Sequence, residues 1–223
     1  MSKCYTVGTM TRPRFANGEF YHIYNRGVDK RPIFSRQSDI HRFLESIDVF
    51  NSINPVGSIF ENTFVINKRK SKTQKLVNII CYCLNINHFH LMLEQLADGG
   101  ISEFMKRVGI GYTKYFNAQE RRSGVLFQSK FKAVHVDSNE YLLRLNSYIN
   151  LNNRINSSLG HRMSKSSWEE YIGIEETSFC AKGIILKQFR SIKEYKEFAL
   201  DALQNIKEHK RLDKEFEILL LEK

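Results

Sequence analysis

The strongest constraint in this 223-residue chain is a mainly apolar run from Leu76 to Leu93, broken by Asn85-Ile86-Asn87 and carrying His88-Phe89-His90 directly after the break. Ile, Val, Cys, Tyr and Phe favour a pleated surface and Asn-x-Asn is turn chemistry, so the run reads as strand, tight turn, strand. Residues two apart on a strand point to one face, which aims His88 and His90 together. Two neighbouring imidazoles are costly to bury without a partner. Either ordinary hydrogen bonds or a divalent metal would satisfy them, and the strand alone leaves both readings open.

Composition narrows the class of partner. Lys and Arg number 34 against 24 Asp and Glu, a net charge of +10 and a pI near 9.4. That excess favours a polyanion, nucleic acid before an anionic membrane surface. With 42% hydrophobic and 12% aromatic residues the chain can bury a real core, so wholesale disorder is excluded. Cys4, Cys81, Cys83 and Cys180 form no C-x-x-C pair, which argues against a Cys-rich zinc site or a thioredoxin-type motif and for a reduced, cytoplasmic protein. Met1 to Phe15 lacks the apolar core of a signal peptide, and no run is long enough to span a bilayer.

Around the histidines the periodicities alternate. Phe20 to Tyr24 reads as a strand with Phe20, His22 and Tyr24 on one face, closing in a turn at Asn25 to Gly27. Ser35 to Asn51 is amphipathic, with Ile40, Phe43, Leu44 and Ile47 in register and Ser38 with Asp39 available as a cap. Ile59 to Ile66 is a candidate strand, and Asn67 to Lys75 a strongly basic loop, a solvated hairpin tip or a finger on phosphates. Ile101 to Ala118 predicts a helix whose middle is weakened by Gly109 and Gly111. Leu126 to Val136 predicts a further strand, and Asn139 to Asn152 a helix capped by Asp137 or Ser138. Ser166 to Gly173 reads as a compact turn, and Ser191 onward as a last amphipathic helix.

The order strand, helix, two strands, helix, strand, helix argues for an α+β sandwich. A ferredoxin-like arrangement fits best, its central sheet antiparallel and carrying the histidine pair, with a C-terminal helical extension. The boundary is expected near Gly173, giving a domain over residues 1–173 and an extension over 174–223.

The late helix supplies a partner for the histidines. Tyr148 and Asn152 are four apart and so share a helix face. A phenol titrates near ~10 and is a weak nucleophile at neutral pH. A divalent ion held by two imidazoles and an amide oxygen would polarise a phosphodiester and offset charge as the phenol attacks. Tyr112 and Tyr115 are rival nucleophiles, but both lie on an apolar stripe better explained by packing. His22 and His135 either approach the ion or serve as hydrogen-bonded strand residues, and Trp168 either stacks a base or anchors a loop.

In five ordered segments the chain resembles the single-tyrosine HUH transposases of the insertion-sequence and REP-associated type. These are Tyr21-His22-Ile23-Tyr24-Asn25-Arg26-Gly27, Tyr82 to Leu93, Leu126 to Lys132, Tyr148-Ile149-Asn150-Leu151-Asn152, and Ser166-Ser167-Trp168. The resemblance implies an HUH fold, metal-dependent cleavage and rejoining of single-stranded, hairpin-forming DNA, Mg²⁺ or Mn²⁺ as cofactor, and a 5′-phosphotyrosine intermediate. By it, Tyr148 is the nucleophile and His88, His90 and Asn152 are metal ligands. Arg26, Lys130 and Lys132 are expected phosphate contacts. The chain departs from the family where Ile86 and Asn153 replace prolines that stiffen the turns beside the site. A homodimer sharing sites between subunits is compatible with this pattern, as is a monomer. The competing account is a catalytically inactive or domesticated regulator that binds a specific nucleic acid.

Overall fold

The computed structural model describes residues 13–57, 74–154, 163–175 and 179–212. The candidate strand Ile59 to Ile66, most of the basic loop after it and the apolar Ile218 to Leu221 lie outside those residues.

The described strands are β1 (Phe20–Arg26), β2 (Val77–Asn85), β3 (His88–Gln95), β4 (Lys132–Val136) and β5 (Lys165–Ser166). They form one sheet in the order β4-β1-β3-β2-β5, every pair antiparallel. The helices are α1 (Gln37–Val49), α2 (Gly100–Gln119), α3 (Asn139–Leu151), the short α4 (Trp168–Tyr171) and α5 (Gly183–Leu186), and α6 (Ile192–Leu212). The run β1-α1-β2-β3-α2-β4 with strand order 4-1-3-2 is the ferredoxin-like α+β arrangement. No described helix is long and apolar enough to cross a membrane.

One sheet face is closed by α1 and α2. Phe43 on α1 packs against Phe89 of β3 and edge-on against Tyr112 of α2, with ring centroids 5.1 and 5.0 Å apart. Ile40, Ile47, Phe104 and Val108 fill the remaining space and are buried. The Tyr112 hydroxyl donates to the Ile33 carbonyl, and that of Tyr115 donates to Asp39 Oδ1 at 3.1 Å. Both phenols therefore serve packing on the face away from His88 and His90. The α2 glycines divide: a Cβ on Gly109 would meet open space, whereas one on Gly111 would lie 2.6 Å from the Phe50 ring.

Three local readings are corrected. The cap of α1 is Arg36, not Ser38, and Asp39 acts three residues in, its carboxylate accepting from the amides of Ser35 and Arg36 at 2.8 and 2.9 Å. Leu126 to Val136 is not one strand, because only Lys132–Val136 pairs with β1, after an isolated bridge between Gly27 and Phe127. Ser166 to Gly173 supplies the fifth strand and α4 instead of a mere turn. By contrast, the amide of Tyr141 donates to Ser138 Oγ at 3.3 Å, which makes Ser138 the cap of α3 as its position predicts.

The opposite sheet face carries α3. Asn146 and Asn150, both buried in that helix, are tied from two sides. Tyr195 of α6 donates to Asn146 Oδ1 at 2.8 Å and accepts from Asn150 Nδ2 at 2.9 Å. Ser167 Oγ donates to Asn150 Oδ1 at 2.6 Å, and Ser166 Oγ to the Asn150 carbonyl at 2.8 Å. The Tyr82 amide of β2 in turn donates to Ser167 Oγ at 2.9 Å. A buried network of this kind favours one arrangement, so α3 is held to the sheet in a defined register.

Candidate active site

Register decides which side chains meet on the α3 face. Tyr24 of β1 stands opposite His90 of β3 and opposite Lys132 of β4, and Cys83 of β2 opposite His90. The next row places Arg26 opposite His88, and His88 opposite Asn85. A bulge at Ile79 to Cys81 restores the alternation that keeps Cys81 and Cys83 on this face.

His88 and His90 have ring centroids 5.2 Å apart, nearly perpendicular. His90 is buried, and its Nδ1 lies 2.9 Å from His22 Nε2. Burial pulls the His22 imidazole down to about 4, so it is neutral at physiological pH. His22, raised from the sequence as a strand residue able to approach the ion, is thus the immediate neighbour of a candidate ligand. The signal that could have found it was its place beside Tyr24 on one face of β1; the β1–β3 pairing had to be known to use it.

Tyr148 projects from α3 toward the pair, its ring centroid 5.7 Å from that of His90 at an interplanar angle of 78°. Burial pushes the phenol up to about 12, partly offset by a hydrogen bond from the Asn152 side chain. Tyr24 stacks at 6.0 Å from His90, and burial raises its phenol too. Asn152, in the 3₁₀ turn that ends α3, also meets the sheet: its Oδ1 accepts from Asn85 Nδ2 at 2.8 Å. The same Asn85 Nδ2 lies 3.0 Å from His88 Nε2. Asn85 escaped sequence reasoning because Asn85-Ile86-Asn87 reads as a turn, where an Asn already has a sufficient explanation, whereas Asn85 is the last residue of β2.

The donors gathered here are imidazole nitrogens and carboxamide oxygens. Among the described residues, no group of three or more His, Cys, Asp or Glu is placed to hold a metal. Cys83 is no thiolate donor, since burial pushes its thiol up to about 12. Imidazole nitrogens ligate divalent transition ions, and carboxamide oxygen, substrate phosphate and water are the oxygen ligands that Mn²⁺ or Mg²⁺ takes. The residues present fit such an ion.

The three expected phosphate contacts are not equivalent. Half-buried Arg26 and exposed Lys132 belong to the sheet face of the histidines. Lys130 precedes β4 and lines an apolar groove of about 770 Å³ under α2, together with Lys106, Lys114 and Phe127. His135 is engaged by Glu19 at 2.7 Å. Trp168 is buried near Tyr195 with the Arg154 guanidinium over its ring, and so anchors its loop.

Comparison with known proteins gives a family match over residues 61–152, to the family described as "Transposase IS200 like". The matched segment contains His88, His90, Tyr148 and Asn152. A solved structure described as "Structure of the REP associates tyrosine transposase bound to a REP hairpin" is similar over 78% of this chain and 97% of that one, at 11% identity and a TM-score of 0.46. No curated protein matches.

Proposed function

From the match of residues 61–152 to the IS200-like transposase family we propose a metal-dependent transposase that cleaves and rejoins single-stranded DNA through a 5′-phosphotyrosine. The observation that carries the reading is the approach of Tyr148 to His90 within one chain, ring to ring at 5.7 Å, on a helix held in register by Asn146 and Asn150.

His88, His90 and Asn152 would hold the ion. Mg²⁺ or Mn²⁺ bound there supplies positive charge to a non-bridging phosphate oxygen and to the phenolate. His90 would offer Nε2 to the ion, because its Nδ1 faces His22; a protonated Nδ1 would then donate a hydrogen bond to the neutral His22 ring. Tyr148 Oη gives its proton to solvent and attacks phosphorus in line, the P–O3′ bond breaks, and the leaving 3′ oxygen takes up a proton from solvent. The phosphotyrosine ester keeps the bond energy, so a DNA 3′-hydroxyl reverses the step without ATP. Arg26 and Lys132 flank the histidine row and position the backbone. The strand recognised is hairpin-forming DNA, the catalytic domain spans residues 1–173, and the helices beyond it brace α3.

All of these groups lie in one chain, which supports a site built within a single subunit. The test uses the full chain, a labelled single-stranded hairpin and Mn²⁺. The reading expects a denaturant-resistant protein–DNA adduct that chelation prevents. Binding without an adduct across hairpins and metals would favour the inactive-regulator account instead.

A further inference from the structure

Asn85 joins the strand pair to the helix of Tyr148 through a single polar group. Its Nδ2 reaches His88 Nε2 at 3.0 Å and Asn152 Oδ1 at 2.8 Å. The proton positions follow from the surrounding network. Asn87 Nδ2 donates to the Lys30 carbonyl at 3.1 Å, which turns Asn87 Oδ1 toward His88. That oxygen lies 2.7 Å from His88 Nδ1 and only accepts, so Nδ1 carries the proton and Nε2 offers its lone pair. This is the tautomer of a metal-bound imidazole whose other nitrogen is fixed by a second group. Asn85 thus aims two N–H bonds at two lone pairs, and both belong to groups that ligate the ion in the reading above.

We propose that Asn85 is a further member of the metal site, its carboxamide standing in for the ion in the metal-free protein and turning to offer Oδ1 when a divalent cation binds. The inference rests on the proposed function's assignment of His88 and Asn152 as ligands. A cation and an N–H₂ group satisfy the same pair of acceptors, and what separates them is charge and reach. Ligands ~2.0–2.2 Å from one small divalent ion lie about 3 Å from each other when set at right angles, and Asn85 Nδ2 already stands 3.0 and 2.8 Å from the two acceptors. Turning the amide about its Cβ–Cγ bond exchanges nitrogen for oxygen in place. Three acceptors would then converge on one point, an arrangement that is repulsive without a cation and favourable with one. The contact to Asn85 Oδ1 that this gives up is weak, a Cys83 thiol at 3.8 Å.

The experiment measures Mn²⁺ binding to the full chain without DNA, by the loss of the free-ion EPR signal, alongside thermal melting with and without the metal. Asn85→Leu removes the oxygen at similar volume, and Mn²⁺ affinity is expected to fall at least tenfold. Asn85→Asp offers a charged oxygen at the same place. It is expected to melt lower than wild type without metal, to bind Mn²⁺ more tightly, and to gain more in melting temperature on adding it. Leu or Asp variants that bind Mn²⁺ like wild type would overturn the role of Asn85 and leave His88 and His90 untouched. A folded wild-type chain that binds no Mn²⁺ at millimolar concentration would instead sink the metal reading, and this inference with it.

Discussion

The rings of Tyr148 and His90 meet edge to face, 5.7 Å between centroids, although one lies on a helix and the other on a strand 58 positions earlier in the chain. The meeting depends on α3, and α3 depends on two asparagines. Asn146 and Asn150 lie on the helix face that packs inward, where Tyr195, Ser166 and Ser167 hold them.

Tyr195→Phe removes a buried hydroxyl that both donates and accepts in this network. It leaves Asn146 Oδ1 and Asn150 Nδ2 with their mutual 3.3 Å hydrogen bond alone, so a loss of about 1–3 kcal/mol is expected, read as a lower melting temperature. The adduct-forming rate should fall as well, because the helix bearing Tyr148 loses its brace. A variant as stable as wild type would show that α6 does not hold α3.

His88→Ala and His90→Ala test the ligands. Each should slow adduct formation by at least about 100-fold, more than the loss of an outer partner of a metal site causes. Affinity for the hairpin should stay within a few-fold, since Arg26, Lys132 and the wider positive field remain. Gel-shift and adduct assays on one preparation separate the two effects.

Acid should weaken the metal-free protein through His22. Its folded value near 4 lies below the ordinary 6.5, so the unfolded chain takes up the proton first. The stability carried by the neutral ring is present above pH 6.5, falls as pH drops toward 4, and levels off below. Its size is about 3 kcal/mol. Denaturant melts from pH 7 to 4 check this, and His22→Phe should flatten the slope across that window.

Two glycines of one helix should respond in opposite directions. Gly109→Ala meets nothing within 4 Å and should stabilise by about 0.5–1 kcal/mol through helix propensity. Gly111→Ala drives its methyl into the Phe50 ring and should destabilise by about 1–3 kcal/mol. Thermal melts of the pair test the packing of α1 on α2.

The sheet was legible because its strands announce themselves by alternation, and the helices by stripes such as Ile40, Phe43 and Ile47. The pairing of Tyr148 with Asn152 was legible as well, since four residues on a helix is a fixed geometry. His22 and Asn85 were not. Their roles come from cross-strand neighbours, Tyr24 opposite His90 and Asn85 opposite His88, and no periodicity encodes which strands pair. The strand expected at Leu126 to Val136 was misjudged in length for a related reason. Apolar residues there serve the groove under α2 as well as the sheet, so Leu126 and Phe127 look like strand without extending the ladder.

The central claim is that the Tyr148 phenol is the nucleophile. Its most direct test mixes wild type, Tyr148→Phe and Tyr115→Phe with a 5′-labelled and, separately, a 3′-labelled hairpin strand in Mn²⁺, followed by denaturing gels and peptide mapping of the adduct. The account predicts that wild type and Tyr115→Phe retain the 3′ label, that Tyr148→Phe retains none, and that the mapped phosphate sits on Tyr148. An adduct that survives Tyr148→Phe, or maps to another side chain, would contradict it.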